Sequence, residues 1–117
     1  MPDRVETPVH DAKAELFKAM AHPVRIRALE VLAAGAERSV SDLAAAIEVD
    51  APYLSQQLGI LRRAGLVVSR REVTTVFYSL RDPLLAELLS VARRFLIARL
   101  EQTRDLLEDL EADEAAS

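Results

Sequence analysis

Hydroxyl and amide side chains gather on one short stretch, Asp50–Leu66, reading DAPYLSQQLGILRRAGL. Leu54, Leu58 and Leu61 recur at helical spacing and predict one buried stripe, which leaves Tyr53, Ser55, Gln56, Gln57 and Arg62 pointing outward. An ordinary solvated helix face is made of Lys and Glu. This one offers short donors and acceptors of the kind that hydrogen-bond base edges in a major groove. The same face also fits a surface helix that is merely poor in charge, and residue types alone leave both readings open. Asp50 suits an N-cap, Pro52 is tolerated in the first turn where amides lack intrahelical partners, and Gly65 is placed to close the far end.

Other chemistries find less support. The 117 residues include no cysteine, which excludes disulfides, thiolate metal sites, a cysteine nucleophile and thiol redox sensing. Neither Ser39 nor Ser55 has a histidine near it in sequence to activate it, and three scattered glycines, Gly35, Gly59 and Gly65, make no phosphate-binding loop. An enzyme is therefore not expected. No apolar run is long enough to span a bilayer and the acidic start MPDRVETPVHD is not a signal peptide, so the reading is a soluble, cytoplasmic protein with no membrane partner.

The elements that must position the polar helix follow from the rest of the pattern. Half of the chain is apolar and only 4% is aromatic, enough for one modest core of Leu, Val, Ile and Ala, which suits helices. Residues 1–10 carry two prolines and no periodicity and read as a loose, flexible N-terminal arm. Leu16, Phe17 and Met20 line a first helix over Asp11–Met20; His22-Pro23 interrupts it, because the residue before a proline avoids the helical region. Pro23 then opens a second helix with apolar rows Val24, Ala28, Val31 and Ile26, Leu29, Leu32, ended by Gly35 and followed by a short loop from Ala36 to Arg38. Ser39-Val-Ser-Asp42 resembles a capping box, and Leu43, Ala44 and Ile47 face one side of a third helix. Only a tight corner, with Glu48 in it, separates that helix from the polar one, which makes a helix-turn-helix.

After Gly65 the period becomes two. Val67-Val68 and then Val76, Tyr78 and Leu80, alternating with Thr75, Phe77 and Ser79, predict a hairpin whose tip, Ser69–Thr74, bears arginines. Asp82-Pro83 starts a last helix. Leu85, Leu89, Ala92, Leu96, Leu100, Thr103, Leu107 and Leu110 repeat along it, widened by Leu84, Leu88 and Phe95. So long an apolar stripe outreaches a domain of this size, and a second copy of the chain is its cheapest cover. The fold class expected is mainly α with a β-hairpin wing: a winged helix-turn-helix, homodimeric through its terminal helices. Residues 11–100 form the domain and 101–117 the end of the last helix and an acidic tail. That tail holds seven acids and one arginine, a net of −6 against −4 for the whole chain, which leaves residues 1–100 at +2; Arg62, Arg63, Arg70, Arg71 and Arg81 face only Glu72 over their span. A basic strip on an acidic chain is compatible with modest, salt-sensitive phosphate contact.

Four segments make the chain resemble the ArsR/SmtB family of bacterial winged-helix repressors: AHPVRIRALEVL (Ala21–Leu32), SVSDLAAAI (Ser39–Ile47), LSQQLGILRRAGLV (Leu54–Val67) and SRREVTTVFYSL (Ser69–Leu80). The resemblance implies a sequence-specific regulator, a repressor that binds double-stranded operator DNA as a homodimer. It places Tyr53, Ser55, Gln56 and Gln57 at bases or nearby phosphates, Arg62 and Arg63 at the helix end, Ser39 and Ser41 on phosphate, and Arg70, Arg71, Thr74 and Thr75 on the wing. Leu16, Leu85, Leu89, Ala92, Leu96, Leu100 and Leu107 are the expected dimer contacts. The chain departs from the family where Val73, Thr74 and Thr75 replace a glycine and two basic residues of the wing, and where Gln57 replaces a histidine. The family's metal positions hold Ser39 and Ser41, poor ligands for a soft metal, and the last helix has no histidine. His10 is the remaining candidate for nickel or zinc, with Asp11 or Glu15 and a partner's acids; a solvated histidine in a loose arm is the simpler account. The competing reading is a winged-helix interaction module or co-regulator that binds protein rather than DNA.

Overall fold

In a computed structural model the described residues are 8–116. The chain divides into two compact units at the Ala86–Glu87 boundary. The elements of the first run in the order α1 (Pro8–Met20), α2 (Pro23–Ala33), β1 (Arg38–Ser39), α3 (Val40–Ile47), α4 (Ala51–Arg63), β2 (Val67–Glu72) and β3 (Thr75–Leu80). The helix α5 (Leu84–Ala116) contains the whole described part of the second.

Helices α2, α3 and α4 each begin where a side chain can satisfy a free amide. His22 Nδ1 accepts from the Val24 amide at 3.2 Å, Ser39 Oγ from Asp42 at 3.1 Å and an Asp50 carboxylate oxygen from Tyr53 at 3.3 Å. Helix α4 closes on Gly65, whose φ of +80° suits a residue without a Cβ. Gly65 N–H donates to the Arg62 carbonyl and Leu66 N–H to the Leu61 carbonyl, each at 3.0 Å, while buried Leu61 and Leu66 seal the turn. Between α3 and α4 the corner residue Glu48 takes the left-handed conformation (φ 58°, ψ 52°), a strained choice for a residue with a Cβ.

Helices α2, α3 and α4 pack on one another around Leu29, Leu43, Ile47, Leu54, Leu58 and Leu61, all sealed from solvent. The sheet closes this core from one side: Val67 and Tyr78 face inward, α4 packs on β2, and α2 and α3 pack on β3. The core therefore holds the inner stripe of α4 rigidly, and whatever lies on its outer side is presented by a fixed scaffold.

Four details differ from the sequence reading. Helix α1 starts at Pro8, so His10 sits in its first turns rather than in an arm; residues 1–7 of that arm lie outside the described residues. Helix α2 ends on Ala34, which keeps right-handed helical geometry, and Gly35 supplies no left-handed cap. Arg38-Ser39 is a strand rather than the end of a loop, because Arg38 pairs with Tyr78 and Ser39 with Phe77, giving a three-stranded antiparallel sheet in the order β1-β3-β2. Finally, the wing has no broad tip. Its strands pair from Val67–Leu80 to Glu72–Thr75 and turn on Val73-Thr74, so Arg70 and Arg71 belong to the strand itself. Val73 carries a φ of +57° at a turn position that favours glycine.

Helix α5 is continuous over 33 residues. Leu85 and Leu89 are buried, whereas Leu96, Leu100 and Leu107 are 54–69% exposed, with Phe95, Leu106 and Leu110 similarly open. No helix among the described residues is long and apolar enough to cross a membrane.

Candidate nucleic-acid interface

The outward side of α4 is not one surface but two flanks and a crest. On one flank Ser55 lines a groove of about 360 Å³ together with Ser41 at the start of α3, Pro52, and Thr74 and Thr75 of the wing turn. Five residues singled out by type or by family resemblance thus come together at one place: Ser39, Ser41, Ser55, Thr74 and Thr75. Among them Ser39 is buried and its hydroxyl oxygen serves as the α3 cap, so it supports the groove wall. Ser41, Ser55, Thr74 and Thr75 are exposed. Gln56 occupies the crest, exposed to solvent, and Arg62 is exposed about one and two-thirds turns further on.

The other flank faces the start of α2. Gln57 is half-buried and its Oε1 accepts from Arg25 Nη1 at 2.8 Å. Tyr53 is also half-buried, with its hydroxyl 3.4 Å from His22 Nε2. Because His22 Nδ1 accepts the α2 capping bond, the neutral ring carries its proton on Nε2 and donates to the Tyr53 oxygen, leaving the phenol proton free to point outward. Two of the four polar side chains expected at bases are therefore braced from behind by α2.

The arginines separate in the same way. Arg63 folds back over Gly59, where an added Cβ would lie 3.3 Å from its Nη1, and lines a cleft of about 660 Å³ with Glu15, Leu16, Lys18 and Arg25. It stands apart from the groove that gathers Ser41 and Ser55. Arg70 is engaged by two carboxylates: its Nε donates to Glu37 Oε2 at 3.2 Å, its Nη2 to Glu37 Oε1, and its Nη1 to Glu72 Oε2 at 2.8 Å. Its guanidinium also lies 4.8 Å from the Phe77 ring centroid. The hydrogen bond and charge of Arg70 hold the Glu37 carboxyl below the usual carboxylate range, and the two carboxylates push the Arg70 pKa up. Among the described residues Arg62 and Arg71 form no ion pair.

Sequence reasoning missed three participants: Arg25, His22 as a partner of Tyr53, and Glu37. Arg25 carried a usable signal, since a guanidinium on a helix with two apolar rows must reach a polar partner. Glu37 had none, because its pairing depends on the fold of β1 beside the wing. No group of three or more His, Cys, Asp or Glu that could hold a metal converges among the described residues. Of the expected dimer contacts, Leu16 is half-buried, Leu85 and Leu89 are covered within one chain, and Ala92, Leu96, Leu100 and Leu107 are exposed.

Known proteins share this arrangement. A helix-turn-helix domain family matches residues 20–70. The chain is 46% identical over 111 residues to the HTH-type transcriptional regulator Rv0081 of Mycobacterium tuberculosis, covering 94% of this chain and 96% of that one. The crystal structure of Rv0081 superposes with a TM-score of 0.74, over 83% of this chain and 97% of that one. A biofilm growth-associated repressor of Xylella fastidiosa is 38% identical over 76% of this chain and 77% of its own. The solution structure of the homodimeric winged helix-turn-helix DNA-binding domain of Mb0332 from Mycobacterium bovis, described as a possible ArsR-family regulator, is 29% identical. It covers 84% of this chain and 94% of that one with a TM-score of 0.73. With the helix order, the hairpin wing and the polar α4 face already in place, these likenesses settle the family: the chain belongs to the ArsR/SmtB family of winged helix-turn-helix transcriptional regulators.

Proposed function

We propose that this regulator represses transcription in the cytoplasm by binding an operator as a homodimer, with α4 in the major groove and the wing along the flanking backbone. The observation that carries the reading is the groove in which Ser41, Ser55, Thr74 and Thr75 meet beside the exposed crest residue Gln56. Ser55 and Gln56 are the outward side chains available for base edges, and Tyr53 and Gln57 reach the DNA from the other flank of α4, from their braced positions. Ser41, Arg62 and Arg71 take phosphates, as exposed hydroxyls and guanidinium groups do; Arg63 and Arg70 contribute less, one turned toward α1 and the other neutralised. The exposed row Leu96, Leu100 and Leu107, with Ala92 beside it, meets its counterpart in a second copy, and Leu16 adds to the contact from α1. The dimer then presents two α4 helices roughly 34–36 Å apart, or a multiple of that, to successive turns of the duplex.

The test is a titration of full-length protein against duplexes from upstream of its own gene and against scrambled controls. Gln56→Ala should erase the preference for the upstream duplex by roughly tenfold, whereas Arg62→Ala should weaken every duplex alike and lower the salt slope by about 0.9. Equal, weak binding of all duplexes by the unmodified protein, untouched by either substitution, would shift the assignment to a protein-binding co-regulator. The neutralised Arg70 is the feature that favours that second reading.

A further inference from the structure

The Gln57 amide is held in one orientation by chemistry, not by packing alone. A guanidinium group carries only donors, so the amide atom 2.8 Å from Arg25 Nη1 must be the oxygen, and the NH₂ group is turned away from α2. Arg25 is itself anchored. Its Nε donates to the Ala19 carbonyl at 2.7 Å near the end of α1, and its side chain is half-buried. The neighbouring Gln56 is exposed and, among the described residues, has no hydrogen-bond partner, so its amide turns freely and offers both a donor and an acceptor.

We propose that Arg25 is a positioning residue for base recognition: by taking the Gln57 oxygen it makes Gln57 present a hydrogen-bond donor to the major groove. The base accepted there is one whose edge offers an acceptor, guanine through O6 and N7, thymine through O4 or adenine through N7 alone, and cytosine, which offers only its N4 amino donor, is rejected. A glutamine reads adenine by setting its oxygen on N6 and its nitrogen on N7 together, and Gln57 could turn its oxygen that way only by leaving Arg25. That exchange gives up a hydrogen bond from a charged donor for one from a neutral amino group, and the charged one is the stronger. Adjacent glutamines therefore read by different rules: Gln56 is free to pair with adenine in two bonds, whereas Gln57 is committed to donating. The proposal rests on α4 lying in the major groove, and its test separates the two ideas.

The experiment is selection of bound sequences from a randomised duplex library by the full-length protein and four variants, Gln57→Glu, Gln57→Met, Arg25→Lys and Arg25→Met. The unmodified protein should reject cytosine at one position of each half-site, and Gln57→Met should lose that discrimination at that pair alone. Gln57→Glu keeps an oxygen for Arg25 but replaces the outward donor with an acceptor, so the discrimination should invert toward cytosine, whose amino group donates. Arg25→Met should flatten discrimination at the same pair by roughly tenfold while sparing the pairs read by other side chains, and Arg25→Lys, which retains a cationic donor, should restore most of it. The proposal is overturned if Gln57→Glu leaves cytosine rejected, or if Arg25→Met lowers affinity for all sequences with discrimination intact. Should Arg25→Met not fold, Gln57→Glu decides alone. A library that returns no preferred sequence for the unmodified protein overturns the groove assignment itself, an outcome distinct from a preference that ignores Arg25.

Discussion

Glu37→Gln should make the protein bind DNA more tightly and with steeper salt dependence. Arg70 points from the wing into solvent, half exposed, yet Glu37 and Glu72 surround its guanidinium, so the local charge is one negative rather than one positive. Replacing Glu37 with its amide brings that patch to neutrality and leaves Arg70 with one carboxylate partner and a free edge for phosphate. One added phosphate contact steepens log K against log salt by about 0.9, so between about 50 and 200 mM salt the variant should lose an additional ~3.5-fold in affinity. Fluorescence anisotropy with a labelled operator duplex at four salt concentrations measures both the gain at low salt and the slope. Thermal stability should barely move, because an exposed ion pair is screened by water and costs side-chain entropy to hold. Acidification is no substitute for the substitution. Arg70 lowers the Glu37 pKa, so the pair is fully formed above the ordinary carboxylate pKa and is lost only as pH falls through the lowered value; between about pH 6 and 8 it is intact. The reasoning fails if Glu37→Gln keeps the original slope at every salt concentration. It fails equally if the gain survives in the Glu37→Gln/Arg70→Ala double variant, since Arg70 would then not be the group released.

Two further perturbations probe the scaffold. Val73→Gly should raise stability by about 1 kcal/mol in thermal or urea unfolding, since the left-handed backbone at φ +57° crowds a Cβ that glycine lacks, less the entropy glycine adds to the unfolded chain; a destabilised variant would mean that the strain is absent. Leu100→Glu places a charge on a side chain 69% exposed in one chain, so the protomer should remain folded while sedimentation at micromolar concentration shifts from dimer to monomer. A Leu100→Glu dimer of unchanged mass would remove the α5 stripe from the interface.

What the sequence made legible was set by how local the determining interaction is. The cap at Asp50, the stop at Gly65, the inner leucines of α4 and the strand β3 are all decided within a few residues, and the structure shows each of them, although of β3 only Tyr78 is buried. The resemblance of four ordered segments then supplied the arrangement that short-range patterns lack. Glu48 illustrates a conflict visible in advance: a corner of so few residues needs left-handed backbone, and the residue present adopts it at φ 58° despite its side chain. What stayed hidden depends on partners distant in sequence. Arg38-Ser39 is too short to read as a strand until β3 lies beside it; the Ser39 cap was legible, but the burial of its side chain was not. The arginines at 70 and 71 looked equivalent, yet alternation puts them on opposite faces of β2, and Arg70 alone meets Glu37, thirty-three residues away.

The same separation explains how an acidic chain can serve as a DNA-binding regulator. Net charge matters to an approaching duplex only within a Debye length or so, about 8 Å at physiological salt. The acids of the tail begin at Glu101, about 21 Å along α5 from Glu87 at ~1.5 Å per residue, more than two such lengths from the start of that unit. At that separation they do not set the field at groups near Glu87. Within the first unit the arginine strip is in turn thinned by Glu37 and Glu72, so few cations remain for phosphate. Phosphate contacts supply affinity without sequence information. A surface that has few of them binds unrelated DNA weakly, and its occupancy of any site then depends more on base-edge hydrogen bonds. In the proposed complex the wing pair at Glu37–Arg70 and the brace at Arg25–Gln57 act in one direction: the first would lower indiscriminate binding, and the second would narrow what the remaining contacts accept.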